Sequence, residues 1–555
     1  MTLPRTYNDQ MFIDTFEHHF TWIDGFMRNV RRYRNRKAMT DPLTNRSWDY
    51  TELNRDVNRL ANALRADGVG EQDVVMTTML NCPEFAFTYV GPRKLGAVLN
   101  PANFNLAPGE VALLMDHNRP KVFIYSAEVR EMAAEAVRLA KYPPLRAVMA
   151  DNYKGYPVPE GHISYEDYVA GQPETEPETD YVPHIYNEVI RLCTSGTTAL
   201  PKSAPLNDIN DVLSAHDVIM HYPMNVNDVT MNMTPWFHRG GCHCGGPGPT
   251  FYVGASLVVA RNFIPKQCLQ WVEKYGVTFL MGAPASLEML ARIQERHPVD
   301  ISGLRGLVTM GSPFEKSACM RYLSILTPNI FNGYGTTETF WNSFLRPYDL
   351  PEFAGTVGGS CIDDEVRVVR VLEDGVKAEP DDLVPTDGEA VGEIIIRSPA
   401  KSTLSYYNNP EEEKKKFYKG WMYTGDLGTW TDNLYITVCG RKDDMIVCAA
   451  ENIYPSQIEE VLNTCEKVSD CIVTAVPDSV RGQAVAAYII PKDPSLTVEE
   501  LVEFCKESPL LSFYKRPRYY RLVDSIPLTA TGKKMHFAAK QQAEKDLEAG
   551  LLKRA

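Results

Sequence analysis

The stretch of sequence that decides the fold is Thr194-Ser195-Gly196-Thr197-Thr198-Ala199-Leu200-Pro201-Lys202-Ser203, which follows the apolar run at 189–193. A strand that ends in hydroxyl groups, a flexible glycine and a lysine can place several hydrogen-bond donors around phosphate oxygens. The loop is not a Walker A motif, because Pro201 stands where that motif needs glycine. For this stretch alone, a polar turn that happens to contain a lysine remains the alternative.

Short apolar runs alternate with helical patterns on both sides of this loop. Leu53, Val57, Leu60, Ala61 and Leu64 recur at helical spacing, and Gly68 is placed to end that helix. The main apolar runs lie at 121–125, 146–150, 189–193, 257–260 and 304–310. This alternation predicts an α/β fold with largely parallel sheets.

The pattern changes after Gly440. A predicted helix at 455–462 is followed by strand-like runs at 471–476 and 484–490, a helix at 498–507 and a basic run. We therefore predict a large N-terminal domain over 1–440, a hinge at 441–443 and a small α+β domain over 444–555.

Three charged stretches are predicted to be exposed. Two acidic, proline-bearing stretches at 171–183 and 373–389 are typical of surface loops. The run Glu411-Glu412-Glu413-Lys414-Lys415-Lys416 places opposite charges three residues apart on a helix, which indicates a solvated helix face.

Composition limits the kind of partner and the compartment. The 555 residues include 57 Lys and Arg against 71 Asp and Glu, a net charge of −14, which argues against a generic nucleic-acid-binding protein. No apolar run approaches the ~18 residues of a membrane span, and the first residues lack the apolar region of a signal peptide. The twelve cysteines show no disulfide framework, so we expect them reduced and the protein cytoplasmic. The sequence leaves the oligomeric state open, and a homo-oligomer is one alternative.

Four further motifs follow the 194–203 loop in order. They are Asn332-Gly333-Tyr334-Gly335-Thr336-Thr337-Glu338, Tyr423-Thr424-Gly425-Asp426, Gly440-Arg441-Lys442-Asp443-Asp444 and Pro527-Leu528-Thr529-Ala530-Thr531-Gly532-Lys533. With the loop, this ordered set resembles the adenylate-forming enzymes: acyl- and aryl-CoA synthetases, luciferases and nonribosomal adenylation domains. The resemblance extends from Trp48 to Lys534, nearly the whole chain.

The resemblance implies an AMP-binding domain of parallel-sheet α/β subdomains with a β-barrel portion, and a small mobile C-terminal domain. It implies that ATP activates a small-molecule carboxylic acid as an acyl-adenylate, which is then transferred to the CoA thiol. Attack on the α-phosphate builds charge on phosphoryl oxygens, so catalysis depends on positioning and on electrostatic neutralisation. Mg²⁺ is expected on the triphosphate, held by few protein oxygens because it keeps its waters.

The motif match gives each residue an expected role. The phosphates would be held by Thr194, Ser195, Gly196, Thr197, Thr198 and Lys202. Gly311, Ser312, Pro313, Gly333 and Tyr334 would flank the adenine. Asn332, Gly335 and Thr336 are further expected nucleotide-binding residues. Thr337 would touch the α-phosphate side and Glu338 would hold Mg²⁺. Asp426 would accept hydrogen bonds from the ribose hydroxyls, and Arg441 would reach the ribose or a phosphate.

Lys533 and Asp443 are the residues that the resemblance connects with movement. Lys533 matches the mobile lysine whose ammonium stabilises the transition state of adenylation, with an exposed lysine in a tail as the alternative. Asp443 matches the hinge about which the small domain rotates between adenylation and thioester formation. That rotation would remove Lys533 from the site.

Two motifs depart from the family pattern, and the second departure concerns the group that accepts the acyl chain. Ala199 and Ser203 replace glycines of the phosphate loop, and Ala449-Ala450 stands where the family has a Gly-Gly pair. One of those glycines lines the pantetheine tunnel, so two methyl groups would narrow it. The alternative function is therefore a stand-alone adenylating enzyme that loads a carrier protein or releases acyl-AMP. A non-enzymatic nucleotide-binding module is the outside alternative, and both Glu338 and Lys533 argue against it.

The acid pocket is expected at Trp236, Phe237, His238 and Gly241, and its aromatic residues favour an aromatic or alicyclic acid. His238 matches the position that borders the acyl pocket, with a structural core histidine as the alternative. Cys242-His243-Cys244 is not interpreted as a zinc site, because adjacent residues point apart. The basic run at 514–521 predicts a strand with inward tyrosines; a contact with CoA or with single-stranded nucleic acid are the other interpretations.

Overall fold

The computed structural model describes residues 9–194, 202–312, 314–372, 376–448, 451–478, 482–508, 511, 513, 515–529 and 532–555. In this part of the chain, two large, mostly parallel sheets are followed by an antiparallel sheet and by a smaller mixed sheet. The predicted α/β class is confirmed, and the expected β-barrel portion stays a prediction.

The first sheet has seven strands in the described chain and ends at the phosphate loop. In spatial order its strands are Ile163–Ser164, Arg146–Ala150, Val122–Ser126, Val74–Thr78, Val98–Pro101, Glu188–Thr194 and Lys202–Asn207. The last two strands pair antiparallel and the others pair parallel. The phosphate loop therefore connects two neighbouring strands.

The second sheet has nine strands in the same described ranges. They run in the order Gly359–Ser360, Phe340–Leu345, Ile330–Thr336, Gly306–Met310, Phe279–Gly282, Val229–Asn232, Ser256–Val258, Lys37–Asp41 and Arg46–Asp49. Its six central strands are parallel and its edge strands are antiparallel.

The antiparallel sheet and the small sheet come last in the chain. The antiparallel sheet comprises Glu365–Val369, Gly392–Arg397, Phe417–Tyr418, Trp421–Trp430 and Ile436–Arg441. The small sheet comprises Ile446–Cys448, Glu451–Ile453, Val468–Asp478, Gly482–Pro491, Tyr519–Leu522 and Lys553–Arg554. The basic run ends in the strand Tyr519–Leu522, where Tyr520 is buried and Arg521 pairs with Asp546.

Helices cover the sheets. The α-helices are Asp9–His19, Trp22–Arg32, Tyr50–Ala66, Pro83–Val90, Pro108–Asn118, Arg130–Leu139, Tyr165–Val169, Asp208–His221, Arg239–His243, Pro247–Val253, Pro265–Tyr275, Pro284–Arg296, Lys316–Ile325, Pro410–Lys416, Pro455–Asn463, Val498–Glu507 and His536–Glu548. Short 3-10 helices span Pro92–Leu95, Ala127–Val129, Pro347–Asp349 and Lys442–Asp444. Among the described helices, none combines the length and apolar character that a bilayer span requires.

The largest core cluster lies between the two parallel sheets. The helix Tyr50–Ala66 begins at a capping box formed by Asp49 and Glu52, and the chain turns at Gly68 with a φ of 76°. Its predicted apolar face is fully buried in a cluster that contains residues of both sheets. Helices shared by two sheets fix the relative position of the sheets, and hence of the loops at their strand ends.

Candidate functional site

The predicted site residues lie where neighbouring parallel strands of the second sheet end. The strands Val229–Asn232, Phe279–Gly282, Gly306–Met310 and Ile330–Thr336 are adjacent and parallel. The segments after them carry His238, Gly311 and Glu338. Since the carboxyl ends of parallel strands meet at one edge, loops distant in sequence converge there, which is the usual ligand position in open α/β sheets.

Asp426 is held in a fixed orientation by two side chains. The Tyr334 hydroxyl donates to Oδ2 at 2.7 Å, and Nη1 of Arg441 donates to Oδ1 at 2.6 Å. Asp426 and Arg441 are directly paired in neighbouring antiparallel strands, and the backbone N–H of Asp426 donates to the Thr424 hydroxyl. These hydrogen bonds therefore fix the orientation of the predicted ribose acceptor.

The segment before Asp426 places a helix against the phosphate-loop lysine. Nζ of Lys202 lies 2.5 Å from Oε2 of Glu412, whose side chain is 7% exposed. Although burial alone would raise the pKa of Glu412, hydrogen bonds from Lys202 and Lys415 lower it. Thr194 ends the strand Glu188–Thr194 and pairs with Lys202. Ser195, Gly196, Thr197 and Thr198 lie outside the described residues.

This contact corrects the interpretation of the 411–416 run as a solvated face. Glu412 is buried and Lys416 is half-buried, whereas Glu411, Lys414 and Lys415 are exposed. One side of the helix faces water, and the side that carries Glu412 contacts Lys202. Spacing of opposite charges predicts a helix but does not say which of its sides is covered.

Glu338 lies in a tight turn between two strands of the second sheet. Its side chain is 6% exposed and accepts a hydrogen bond from the Tyr406 hydroxyl at 2.5 Å. The turn ends at Phe340, which has a φ of 63°, an uncommon value for a bulky residue. A Cβ on Gly335 would lie 1.7 Å from the Phe340 carbonyl oxygen, so glycine is required there.

Arg239 supports this turn from behind. Its guanidinium donates to the Thr337 carbonyl at 2.8 Å and to the Lys401 carbonyl at 2.6 Å. Burial lowers the pKa of Arg239 to about 10, against the opposing effects of Asp211 and Glu338. The residue stays a cation at neutral pH and positions the backbone of Thr337.

The turn suits a hard divalent cation. A carboxylate oxygen is the ligand type that Mg²⁺ prefers, and Mg²⁺ takes few protein ligands beside phosphates and water. The bond from Tyr406 to Oε1 orients the Glu338 carboxylate at the cleft. The donor set therefore fits Mg²⁺ bound through Glu338.

The other predicted nucleotide-binding residues lie after the strand Gly306–Met310 or within the neighbouring strand Ile330–Thr336. Gly311 has a φ of 88° and directly follows the strand Gly306–Met310, with Ser312 half-buried beside it. Asn332 is buried, and a Cβ on Gly333 would lie 2.9 Å from the Trp341 ring. Thr336 contacts the Thr339 hydroxyl at 3.0 Å. Pro313 lies outside the described residues.

Lys533 reaches this cleft from the small C-terminal unit. A Cβ on Gly311 would lie 3.7 Å from Cε of Lys533, and a Cβ on Gly532 would lie 3.2 Å from Cβ of Ala285. Desolvation in the cleft and nearby Arg441 lower the pKa of Lys533, against the opposing effect of Asp426. The lysine is thus brought together with the predicted ribose and adenine residues.

His238 lies within electrostatic reach of this lysine, and Phe237 packs against His238. Their rings are 4.1 Å apart, and Phe104 packs edge-on against Phe237. Burial and the charge of Lys533 lower the pKa of His238 to about 4, so the imidazole is neutral at pH 7. A Cβ on Gly241 would lie 2.0 Å from the Pro235 carbonyl oxygen, which explains a glycine there.

Trp236 occupies the core between the sheets. It is fully buried and packs edge-on against Phe85. His243 pairs with the buried Asp211 at 2.7 Å, while the Cys242 thiol donates to the Trp236 carbonyl at 2.5 Å. The His243 imidazole and the Cys242 thiol therefore bind different partners, the Asp211 carboxylate and the Trp236 carbonyl.

The predicted hinge and tunnel residues are placed only in part. Asp443 is exposed in the 3-10 turn Lys442–Asp444, between the antiparallel sheet and the small sheet. Ala449 and Ala450 lie outside the described residues. Sequence reasoning missed Arg239, Tyr406, Glu412 and Lys416 as parts of the site. For Glu412 and Lys416, the available signal was their position in the sequence, shortly before the Thr424-Gly425-Asp426 motif.

Comparison with known proteins agrees with this geometry. The family model described as AMP-binding enzyme matches residues 26–407, and the model described as AMP-binding enzyme C-terminal domain matches residues 457–533. Feruloyl-CoA synthase from an Amycolatopsis species is 30% identical over 489 residues, covering 87% of this chain and 91% of that protein.

Two further relatives extend over nearly all of the chain. Indoleacetate–CoA ligase from Aromatoleum aromaticum is 28% identical, covering 92% of this chain and 95% of that protein. The crystal structure of the anthranilate CoA ligase AuaEII in complex with anthranoyl-AMP has a TM-score of 0.84 at 25% identity, covering 96% of this chain and 98% of that one. The chain belongs to the AMP-binding enzyme family.

Proposed function

We propose that the protein is an AMP-forming acid–CoA ligase that activates an aromatic or alicyclic carboxylic acid with ATP. A carboxylate oxygen of the acid attacks the α-phosphorus, the bond to the bridging oxygen breaks, and pyrophosphate leaves. The CoA thiol then attacks the acyl carbon of the acyl-adenylate, gives up its proton, and AMP leaves as the thioester forms.

The observation that carries the proposal is the position of Lys533. An ammonium from the small C-terminal unit lies beside Gly311 and senses the charges of Asp426 and Arg441. There it would neutralise negative charge that develops as the carboxylate meets the α-phosphate. A protein that only binds nucleotide has no need of such a lysine.

Residues of the large lobe supply the remaining roles. The fixed Asp426 carboxylate would accept hydrogen bonds from the ribose hydroxyls, and Lys202 would bind phosphate oxygens. Bound Mg²⁺ would neutralise charge on the triphosphate, and Glu338 would hold it. The neutral His238 and Phe237 would form one wall of the acid pocket, because His238 lies within electrostatic reach of Lys533 and Phe237 packs against His238.

The aromatic preference rests on two lines of support. Phe104, Phe237 and His238 form a group of rings, and His238 lies within electrostatic reach of Lys533. Three of the relatives that cover most of the chain are named for feruloyl, indoleacetate and anthranilate groups, which are aromatic, whereas others are named for fatty acids.

The test is a screen for pyrophosphate release by the purified protein with MgATP and a panel of benzoate-like, alicyclic and straight-chain acids. We expect acid-dependent release of pyrophosphate and AMP, fastest with ring-bearing acids. Absence of AMP formation with every acid would overturn the proposal, and a preference for straight-chain acids would overturn the aromatic assignment alone.

A second arm separates the acceptors. Acyl-adenylate formed in the first arm is offered to CoA or to a carrier protein bearing phosphopantetheine, and thioester is measured by mass spectrometry. We expect the CoA thioester. Transfer only to the carrier protein would favour the alternative adenylating enzyme, for which the Ala449-Ala450 pair is the motivating feature.

A further inference from the structure

Lys416 lies inside the cleft, although it ends a helix whose other lysines face water. It is half-buried, and its ammonium donates to the Thr424 carbonyl at 3.0 Å. Lys414 and Lys415 of the same helix are exposed. The Thr424 carbonyl belongs to the strand Trp421–Trp430, two residues before Asp426, so Lys416 is attached to the end of the cleft that carries Asp426 and Arg441, called here the ribose end.

The charged neighbours of Lys416 are site residues. Its ammonium is influenced by Arg441 and Lys202, which repel it, and by Glu338 and Asp426, which attract it. These residues come from the ribose end and from the phosphate end. Glu412, the partner of Lys202, lies one helical turn before Lys416, and Lys416 itself is bonded to the Thr424 carbonyl, so its ammonium lies between the two ends.

The backbone at Gly425 shows how closely two cations approach each other. A Cβ on Gly425 would lie 3.2 Å from Nη2 of Arg441 and 3.6 Å from Nζ of Lys416. Two positive groups thus face the same small space.

Lys416 differs from the other two cations in lacking a carboxylate partner. Lys202 pairs with Glu412 at 2.5 Å, and Arg441 pairs with Asp426 at 2.6 Å. Among the residues that the structure places, no carboxylate oxygen lies within 4.0 Å of Nζ of Lys416. Burial and Arg441 lower the pKa of this lysine. A half-buried cation without a counter-ion is unfavourable, and an anionic ligand would relieve that cost.

We propose that Lys416 is a further nucleotide-binding residue, whose ammonium donates a charge-assisted hydrogen bond to the α-phosphate of ATP and of the acyl-adenylate. The inference rests on the proposed function in one respect, since it requires ATP to occupy this cleft. The α-phosphate is the group common to ATP and AMP and absent from adenosine.

Calorimetric binding of ATP, AMP and adenosine, without acid or CoA, tests the assignment. Lys416→Gln keeps a donor for the Thr424 carbonyl but removes the charge. We expect it to weaken ATP and AMP binding by roughly tenfold or more and to leave adenosine binding within about twofold. Lys416→Arg keeps the charge and should retain most of the affinity. Lys414→Gln, on the exposed face of the same helix, is the matched control and should bind like the wild type.

The outcomes separate the two proposals. Equal losses for AMP and adenosine would assign Lys416 a structural role, and unchanged ATP and AMP binding by Lys416→Gln would also overturn the inference. Thermal unfolding of each variant verifies folding, and Lys416→Arg remains informative if the glutamine variant is unstable. A wild-type protein that binds ATP and AMP but activates no acid would refute the ligase while leaving the Lys416 assignment supported by the same pattern. A protein that binds no nucleotide would refute both.

Discussion

The ribose end and the phosphate end of the cleft are built in different ways. At the proposed ribose end, Asp426 is fixed by Arg441, which lies opposite it in the paired neighbouring strand, and by Tyr334 of the second sheet. At the phosphate end, Lys202 is bonded to Glu412, and Lys533 arrives from a separate unit. On the proposed assignment, the ribose end is prepared for its ligand, whereas Lys202 at the phosphate end has to exchange Glu412 for phosphate oxygens. Preorganised groups bind without rearrangement, and exchangeable ones allow successive steps.

The largest effect is expected from Lys533→Ala. Loss of the ammonium should slow acyl-adenylate formation by about 10²- to 10³-fold, the typical range for removing one transition-state donor. Thioester formation from supplied acyl-adenylate should be largely spared. Single-turnover rates of the two half-reactions measure this, with the exposed Lys545→Ala as the control. Equal loss in both halves would show that Lys533 does not act in one step only.

The ribose end is tested by Asp426→Asn. We expect binding of ATP and AMP to weaken by roughly 10- to 100-fold, because hydrogen bonds to a charged acceptor are worth about 1.5–3 kcal/mol. Calorimetry measures the dissociation constants, and Asp432→Asn, in the turn that follows the strand of Asp426, is the control. If the two variants bound AMP equally well, Asp426 would not be the ribose acceptor. The contrast between a preorganised ribose end and an exchangeable phosphate end would then not hold.

Asp443→Pro tests whether the small unit has to move. Proline fixes φ near −65°, so a hinge at this position loses much of its freedom. The rate of thioester formation from supplied acyl-adenylate should fall about tenfold, with a smaller effect on adenylation. Asp443→Ala is the control, because it removes the carboxylate without restricting the backbone. An unchanged rate of CoA consumption would argue against a hinge here.

The smallest effect, opposite in sign, is expected from Glu412→Gln. Without the carboxylate that competes for Lys202, ATP binding should tighten by about threefold, a fraction of the energy of one partly buried ion pair. Glu411→Gln on the exposed side of the helix is the control, and calorimetry is the measurement. Weaker ATP binding would mean that Glu412 orients Lys202 for phosphate, and the phosphate end would then be preorganised as well.

Local patterns predicted the elements that carry the site. The helix at Tyr50–Ala66 with its buried face, the strand before the phosphate loop and the change of pattern after Gly440 follow from periodicity and turn residues. The order and spacing of the five motifs predicted the family, because together they supply the residue types that chemistry on a nucleotide requires.

Other features depend on contacts between distant parts of the chain. The phosphate-loop lysine meets Glu412, 210 positions further along by residue number, and Arg239 meets the carbonyl of Thr337. Trp236 lies in the core beside Phe85, although its neighbour Phe237 packs against His238, which lies within electrostatic reach of Lys533. These neighbouring residues lie in a turn closed by a hydrogen bond from the His238 N–H to the Pro235 carbonyl, and sequence periodicity does not show which side of such a turn is covered.

By itself the sequence determined the α/β class, the order of the nucleotide motifs and the residue types that chemistry at a triphosphate needs. Only the tertiary structure decided that Asp426 is held by two partners, that Glu412 covers Lys202 and that Lys416 turns inward. The physical reason is that spacing along the chain specifies local geometry, whereas burial and pairing of a charge depend on which distant segment packs against it.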